Sequence, residues 1–151
     1  MDISSVFKVN KISFQEVDNA GSAIDFAVPL QVERYLECMG KTIALNRTEH
    51  GSAYTTLFSV YDISAEQYEM CLERGLLIIG FGLNGDLLTV NLKNSRVGYV
   101  FHDDISEENY ETIDDIYIEL PMDLKQFIKM AVSGGDYPFD GHMAKEYNGI
   151  Y

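Results

Sequence analysis

Between Leu76 and Leu92 the chain carries an apolar run, a three-glycine connection and a second apolar run. The spacing within the second run decides what the connection can be. Leu76-Leu77-Ile78-Ile79 is uninterrupted by polar residues, and Gly80-Phe81-Gly82-Leu83-Asn84-Gly85 then matches GxGxxG, followed by Asp86. Beyond it Leu88, Val90 and Leu92 alternate with Thr89 and Asn91, a period of two that predicts a strand. A dinucleotide-binding loop requires a helix here, because the helix N-terminus meets the pyrophosphate. Asp103 and Asp104 lie near the distance of a ribose-binding acid, but no helix fits between. A kinase-type glycine loop does join strands, yet VAIK, HRD and DFG sequences are absent and the chain is far too short. The structural reading is simpler. Glycines supply positive φ in a tight connection, Asn84-Gly85 is a hairpin signal, and Asp86 is placed to bond nearby N–H groups. Gly80, Gly82, Asn84, Gly85 and Asp86 are therefore expected to shape a turn, with no catalytic or cofactor-binding role.

The surrounding pattern predicts an α+β fold, an antiparallel meander with helices on one face. Val32, Tyr35, Leu36 and Met39 make one face of a helix over 29–39, opened by Pro29 and stopped by Gly40. Residues 42–48 and 53–61 read as strands around a loop at Glu49-His50-Gly51-Ser52. Ser64 and Gln67 suggest a capping box for a helix over 65–74, with Tyr68, Cys71 and Leu72 on its apolar face and Gly75 at its end. Lys93-Asn94-Ser95 is a turn before a strand from Arg96 to Phe101. Residues 102–115 read as an acidic loop, and Ile116, Ile118 and Leu120 as a short strand. Pro121 opens a last helix carrying Leu124, Phe127, Ile128, Ala131 and Val132, ended by Gly134-Gly135. One domain spans 1–151, its core at about 28–132. Residues 1–27, with a turn at 18–22, and the Tyr-rich tail at 136–151 are expected to be peripheral.

Charge narrows the partners. Against 11 Lys and Arg stand 24 Asp and Glu, a formal net charge of −13. Nucleic acid and anionic membrane surfaces would be repelled, whereas a basic protein would be attracted. The charge is concentrated. Asp103, Asp104, Glu107, Glu108, Glu111, Asp114, Asp115 and Glu119 fall between residues 102 and 119 with no Lys or Arg among them. With Tyr110 and Tyr99 nearby, the acids from Asp103 to Asp115 are the candidate partner-binding residues; the bland alternative is a solvated face. No histidine pair has zinc spacing, His102-Asp103-Asp104 on a strand would point apart, and no calcium loop or GxSxG elbow occurs. Catalytic, metal and cofactor sites are accordingly expected to be none. Cys38 and Cys71 read as buried thiols. The N-terminus shows no signal peptide and no run reaches membrane-spanning length, so a cytoplasmic location is expected.

The run Ile78 to Leu92, an apolar strand, a glycine-rich turn ending in Gly85-Asp86 and a second apolar strand, resembles the core of the SUKH superfamily. Val28-Pro29 with Val32, Tyr35-Leu36 and Gly40 resembles that family's early helix, and Asp123-Leu124-Lys125-Gln126-Phe127-Ile128 its closing helix. Val97-Gly98-Tyr99-Val100-Phe101-His102-Asp103 sits where the family shows an aromatic strand ending in His-Asp. The likeness covers roughly residues 28–132. Gly40-Lys41 stands where Asn-Gly is usual, and Val32 where an aromatic is common. The resemblance implies an α+β fold without catalytic machinery. It also implies a protein-binding role: an immunity protein against a cognate secreted toxin, often a basic nuclease, or a regulatory adaptor. A nucleotide-binding enzyme built on the glycine turn is the remote alternative.

Overall fold

The structure, a computed structural model, describes residues 29–134 and 136–149. The expectations for 1–27, Gly135 and Tyr151 lie outside the described residues. In chain order the elements are α1 (Leu30–Cys38), β1 (Ile43–Arg47), β2 (Ala53–Leu57), α2 (Val60–Ala65), α3 (Glu69–Glu73), β3 (Leu76–Gly82), β4 (Leu87–Asn91), β5 (Arg96–Val100), α4 (His102–Glu107), a 3-10 turn (Ile113–Ile116), β6 (Tyr117–Asp123), α5 (Leu124–Ser133) and α6 (Gly141–Tyr147). The fold is α+β. Six strands form one antiparallel meander, β1-β2-β3-β4-β5-β6, each paired with its neighbours in sequence.

The helices do not keep to one face. Leu76 to Gly80 of β3 and Leu88 to Asn91 of β4 are buried at every position, which requires cover above and below the sheet. The side carrying Thr55 and Tyr99 receives the Tyr137-Pro138-Phe139 segment: the Thr55 and Tyr137 hydroxyls lie 2.7 Å apart and Tyr99 Oη donates to the Pro138 carbonyl at 2.9 Å. Phe127 of α5 meets Tyr137 edge to face on that side. The opposite side, bearing Tyr117, is met by α3 through Arg74, whose guanidinium lies over the Tyr117 ring. The Tyr-rich tail is thus part of the core, with Tyr137 and Ala144 buried. Its spacing hides this, because a lone aromatic followed by Pro138 carries no period.

Several boundaries shift for identifiable reasons. The second strand ends at Leu57, because Ser59 caps α2 by accepting the Asp62 N–H, so Val60 and Tyr61 are helical. The expected Ser64–Gln67 capping box does not form. Gln67 lies between α2 and α3 and takes both backbone groups of Ile78, donating to its carbonyl at 2.7 Å and accepting its N–H at 2.9 Å. It pairs β3 beyond the last residue matched by β2, in place of a strand. Cys71 is buried while Tyr68 is exposed. Pro121 lies within β6, tolerated because β6 is an edge strand. The helix expected from Pro121, α5, instead begins at Leu124, capped reciprocally by Asp123 and Gln126, and is followed by α6. Helix α1 ends at Met39, whose N–H reaches the Leu36 carbonyl, and not through a left-handed Gly40.

Candidate partner-binding surface

The glycine turn joins β3 to β4, strand to strand, in antiparallel register. Only Gly85 has positive φ, 91°. Gly80 and Gly82 belong to β3 and are glycines for a different reason. A Cβ on Gly80 would run into the Thr56 carbonyl, and one on Gly82 into the Phe139 carbonyl. Asp86 is buried and ties three segments together. Its Oδ2 accepts from Asn84 Nδ2 at 3.0 Å and from the Gly141 N–H at 2.9 Å, and its Oδ1 from the His102 N–H at 3.2 Å. The His102 ring nitrogen Nδ1 lies 2.8 Å from the same Oδ1. Burial opposes ionisation of Asp86, but the bonds from His102, Asn84 and the Gly141 backbone outweigh it and hold the carboxyl below the usual range. Asp86 therefore fixes the start of α4 and the start of α6 to the β3–β4 turn.

Helix α4 carries the first acids. The segment expected as a loop is helical from His102, with Asp103 and Asp104 in its first turn, where the helix dipole favours negative charge. His102 is therefore not at a strand end, and its Nε2 lies 3.0 Å from Asp103 Oδ1, so the ring stands between two carboxylates. No hydroxyl or thiol bonds to this ring among the described residues, and no group of three or more His, Cys, Asp or Glu there could hold a metal ion. The helix ends at Glu108, a non-glycine residue in the left-handed region at φ 56°. Asp115 then caps the 3-10 turn by accepting the N–H groups of Thr112 and Glu111, which hold its carboxyl below the ordinary carboxylate value.

Most of the candidate acids are exposed. Asp103, Glu107, Glu108, Glu111, Asp114 and Asp115 are exposed; Asp104 is half-buried. Arg74 pairs with Asp114 at 3.0 Å and Arg96 approaches Glu119 at 3.9 Å. Among the described residues no Lys or Arg lies within ion-pair distance of Asp103, Asp104, Glu107, Glu108, Glu111 or Asp115. Tyr110 is half-buried, its hydroxyl on Met70 Sδ at 2.9 Å. Tyr99 must be removed from the candidates. It is fully buried against Gly82, and burial pushes its hydroxyl well above the ordinary tyrosine value.

Two bonds extend the surface. Tyr110 on Met70 and Asp114 on Arg74 lay the acidic segment along α3, so Glu69 and Glu73, both exposed, border it. Tyr68, 43% exposed at the start of α3, brings aromatic surface that sequence spacing assigned to a helix core, while Tyr61, 56% exposed, lies on α2 where a strand was expected. The 40 residues separating Arg74 from Asp114 leave no local pattern that could have joined these groups. No family model, curated protein or solved structure matches this chain.

Proposed function

We propose that this chain is a non-catalytic binding protein that docks a basic protein on the surface built by α3, α4 and the 3-10 turn. Its place among SUKH-like immunity proteins follows from the resemblance of the Ile78–Leu92 run. On that reading it acts in the cytoplasm where it is made and neutralises a cognate toxin, of the basic nuclease class, by covering the toxin's active surface. The observation that carries the proposal is the set of exposed carboxylates at Asp103, Glu107, Glu108, Glu111 and Asp115, none of which has a Lys or Arg within ion-pair distance among the described residues. A cationic partner would relieve their mutual repulsion and speed encounter.

Glu108 adds support. A left-handed helix end favours Gly or Asn, and an exposed Glu there both strains the backbone and adds to the negative cluster. A residue less stable than the obvious substitute suits a surface kept for binding. The test is coexpression with a candidate toxin domain encoded by a neighbouring gene. Survival of the host and a co-purifying complex support the proposal. Continued killing, with both proteins folded and no complex, contradicts it.

A further inference from the structure

A second site lies away from the acidic segment, formed by β1, β2, the end of α5 and the start of the tail. A pocket of about 370 Å³ is lined by Asn46, Arg47, Tyr54, Asp136, Tyr137 and Phe139, with Gly134 and Met143 at its edges. Its aromatic wall is folded. The Tyr54 and Phe139 rings are 4.6 Å apart and tilted by 56°, and Phe139 and Tyr137 lie 6.0 Å apart at 72°. Asn46 stands in the left-handed region at φ 60° within β1. Its Nδ2 donates to the Ala131 carbonyl at 2.8 Å and to Tyr137 Oη at 3.2 Å. Its Oδ1 lies on the Gly134 side. The carbonyl end of the ten-residue helix α5 closes the same side and is partially negative. Asp136 adds a full negative charge. Arg47, the opposing charge, is exposed and turns along the hairpin to donate to the Gly51 carbonyl at 2.7 Å.

Aromatic faces, a helix C-terminus and a carboxylate share one preference. We propose that this pocket binds a primary ammonium or guanidinium group on a short alkyl stem, held by the rings of Tyr54 and Phe139 and by Asp136. The volume admits a headgroup with a four-carbon stem. The inference is independent of the acidic surface on α4. A free amine and the side chain of a basic protein present the same chemistry here, and the experiment separates them.

Full-length protein is titrated with n-butylammonium, butylguanidinium, butyrate and 1-butanol, following the aromatic ring resonances of Tyr54 and Phe139 by NMR. Saturable shifts with both cations and not with butyrate or butanol are expected. Asp136→Asn, at an exposed position, should weaken cation binding roughly five- to tenfold. Arg47→Met should tighten it roughly threefold by removing the opposing charge. A capped glycine peptide bearing one lysine that reproduces the butylammonium shifts assigns the pocket to a protein side chain; its failure, with butylammonium still binding, assigns it to a free amine. Tighter binding of butyrate than of either cation, weaker cation binding in Arg47→Met, or no saturable shift with any cation overturns the proposal, while the α4 docking surface stands or falls on the coexpression result.

Discussion

Asp86 is the residue through which the β3–β4 turn, α4 and α6 share one anchor, and truncating it should be costly. Asp86→Ala leaves the Gly141 and His102 N–H groups and Asn84 without their acceptor, so a loss of about 3 kcal/mol is expected by urea unfolding with the slope unchanged. The glycines allow a sharper comparison. Gly80→Ala drives a methyl into the Thr56 carbonyl and must part β2 from β3, a loss of about 3 kcal/mol. Gly51→Ala meets nothing within 4 Å and carries only its φ of 89°, so about 1 kcal/mol is expected. Equal losses at the two positions would show that close approach is not what Gly80 provides. This difference also marks the limit of the sequence. Asn84-Gly85-Asp86 was legible as a turn, because turn chemistry is local. Gly80 and Gly82 were read as part of it, because the carbonyls that forbid their side chains belong to Thr56 and Phe139, which are distant in the chain.

At the scale of elements, the acidic segment was legible as a surface but not as a helix. Six residues are too few to show a helical period, and α4 is defined by its tie to Asp86 and by carboxylates in its first turn. The caps predict a pH dependence. The Asp86 and Asp115 carboxyls are held below their ordinary range in the folded state. Below about pH 4 the unfolded chain therefore binds more protons at these groups than the folded one. Their contribution is full above that pH and is lost as pH falls through the folded values. The stability gap between the wild type and Asp115→Asn should accordingly be largest near neutrality and close below about pH 4, as read from melting temperatures across pH; a gap that widens in acid would contradict the assignment. At the end of α4, Glu108→Gly should stabilise the protein by about 0.5–1 kcal/mol, and by less in high salt, where the charge component is screened. Destabilisation on that change would mean that Glu108 makes a contact that holds the fold.

For the whole molecule, the α+β class and the order of strands followed from alternating runs and turn residues, whereas the layering did not. The uninterrupted Leu76-Leu77-Ile78-Ile79 run was the available signal that β3 is covered on both sides, and the tail that supplies part of the cover is held by aromatic and hydroxyl contacts without periodicity. This two-sided core fixes the sheet and leaves acidic residues of α3, α4 and the 3-10 turn at the surface. The candidate acids could be listed from sequence, but Glu69, Glu73 and Tyr68 join them only through the packing of Tyr110 on Met70 and Asp114 on Arg74. Electrostatic docking on such a surface has a kinetic signature: partner association slows as salt rises, while dissociation changes little. The decisive measurement is the association rate of a toxin domain found by that coexpression test, with the wild type and with the Glu107→Gln, Glu108→Gln, Glu111→Gln triple variant, at salt from about 50 to 500 mM. The account predicts a fall of roughly tenfold or more for the wild type and a much shallower fall for the variant. Wild-type and variant rates that coincide at every salt concentration would contradict it.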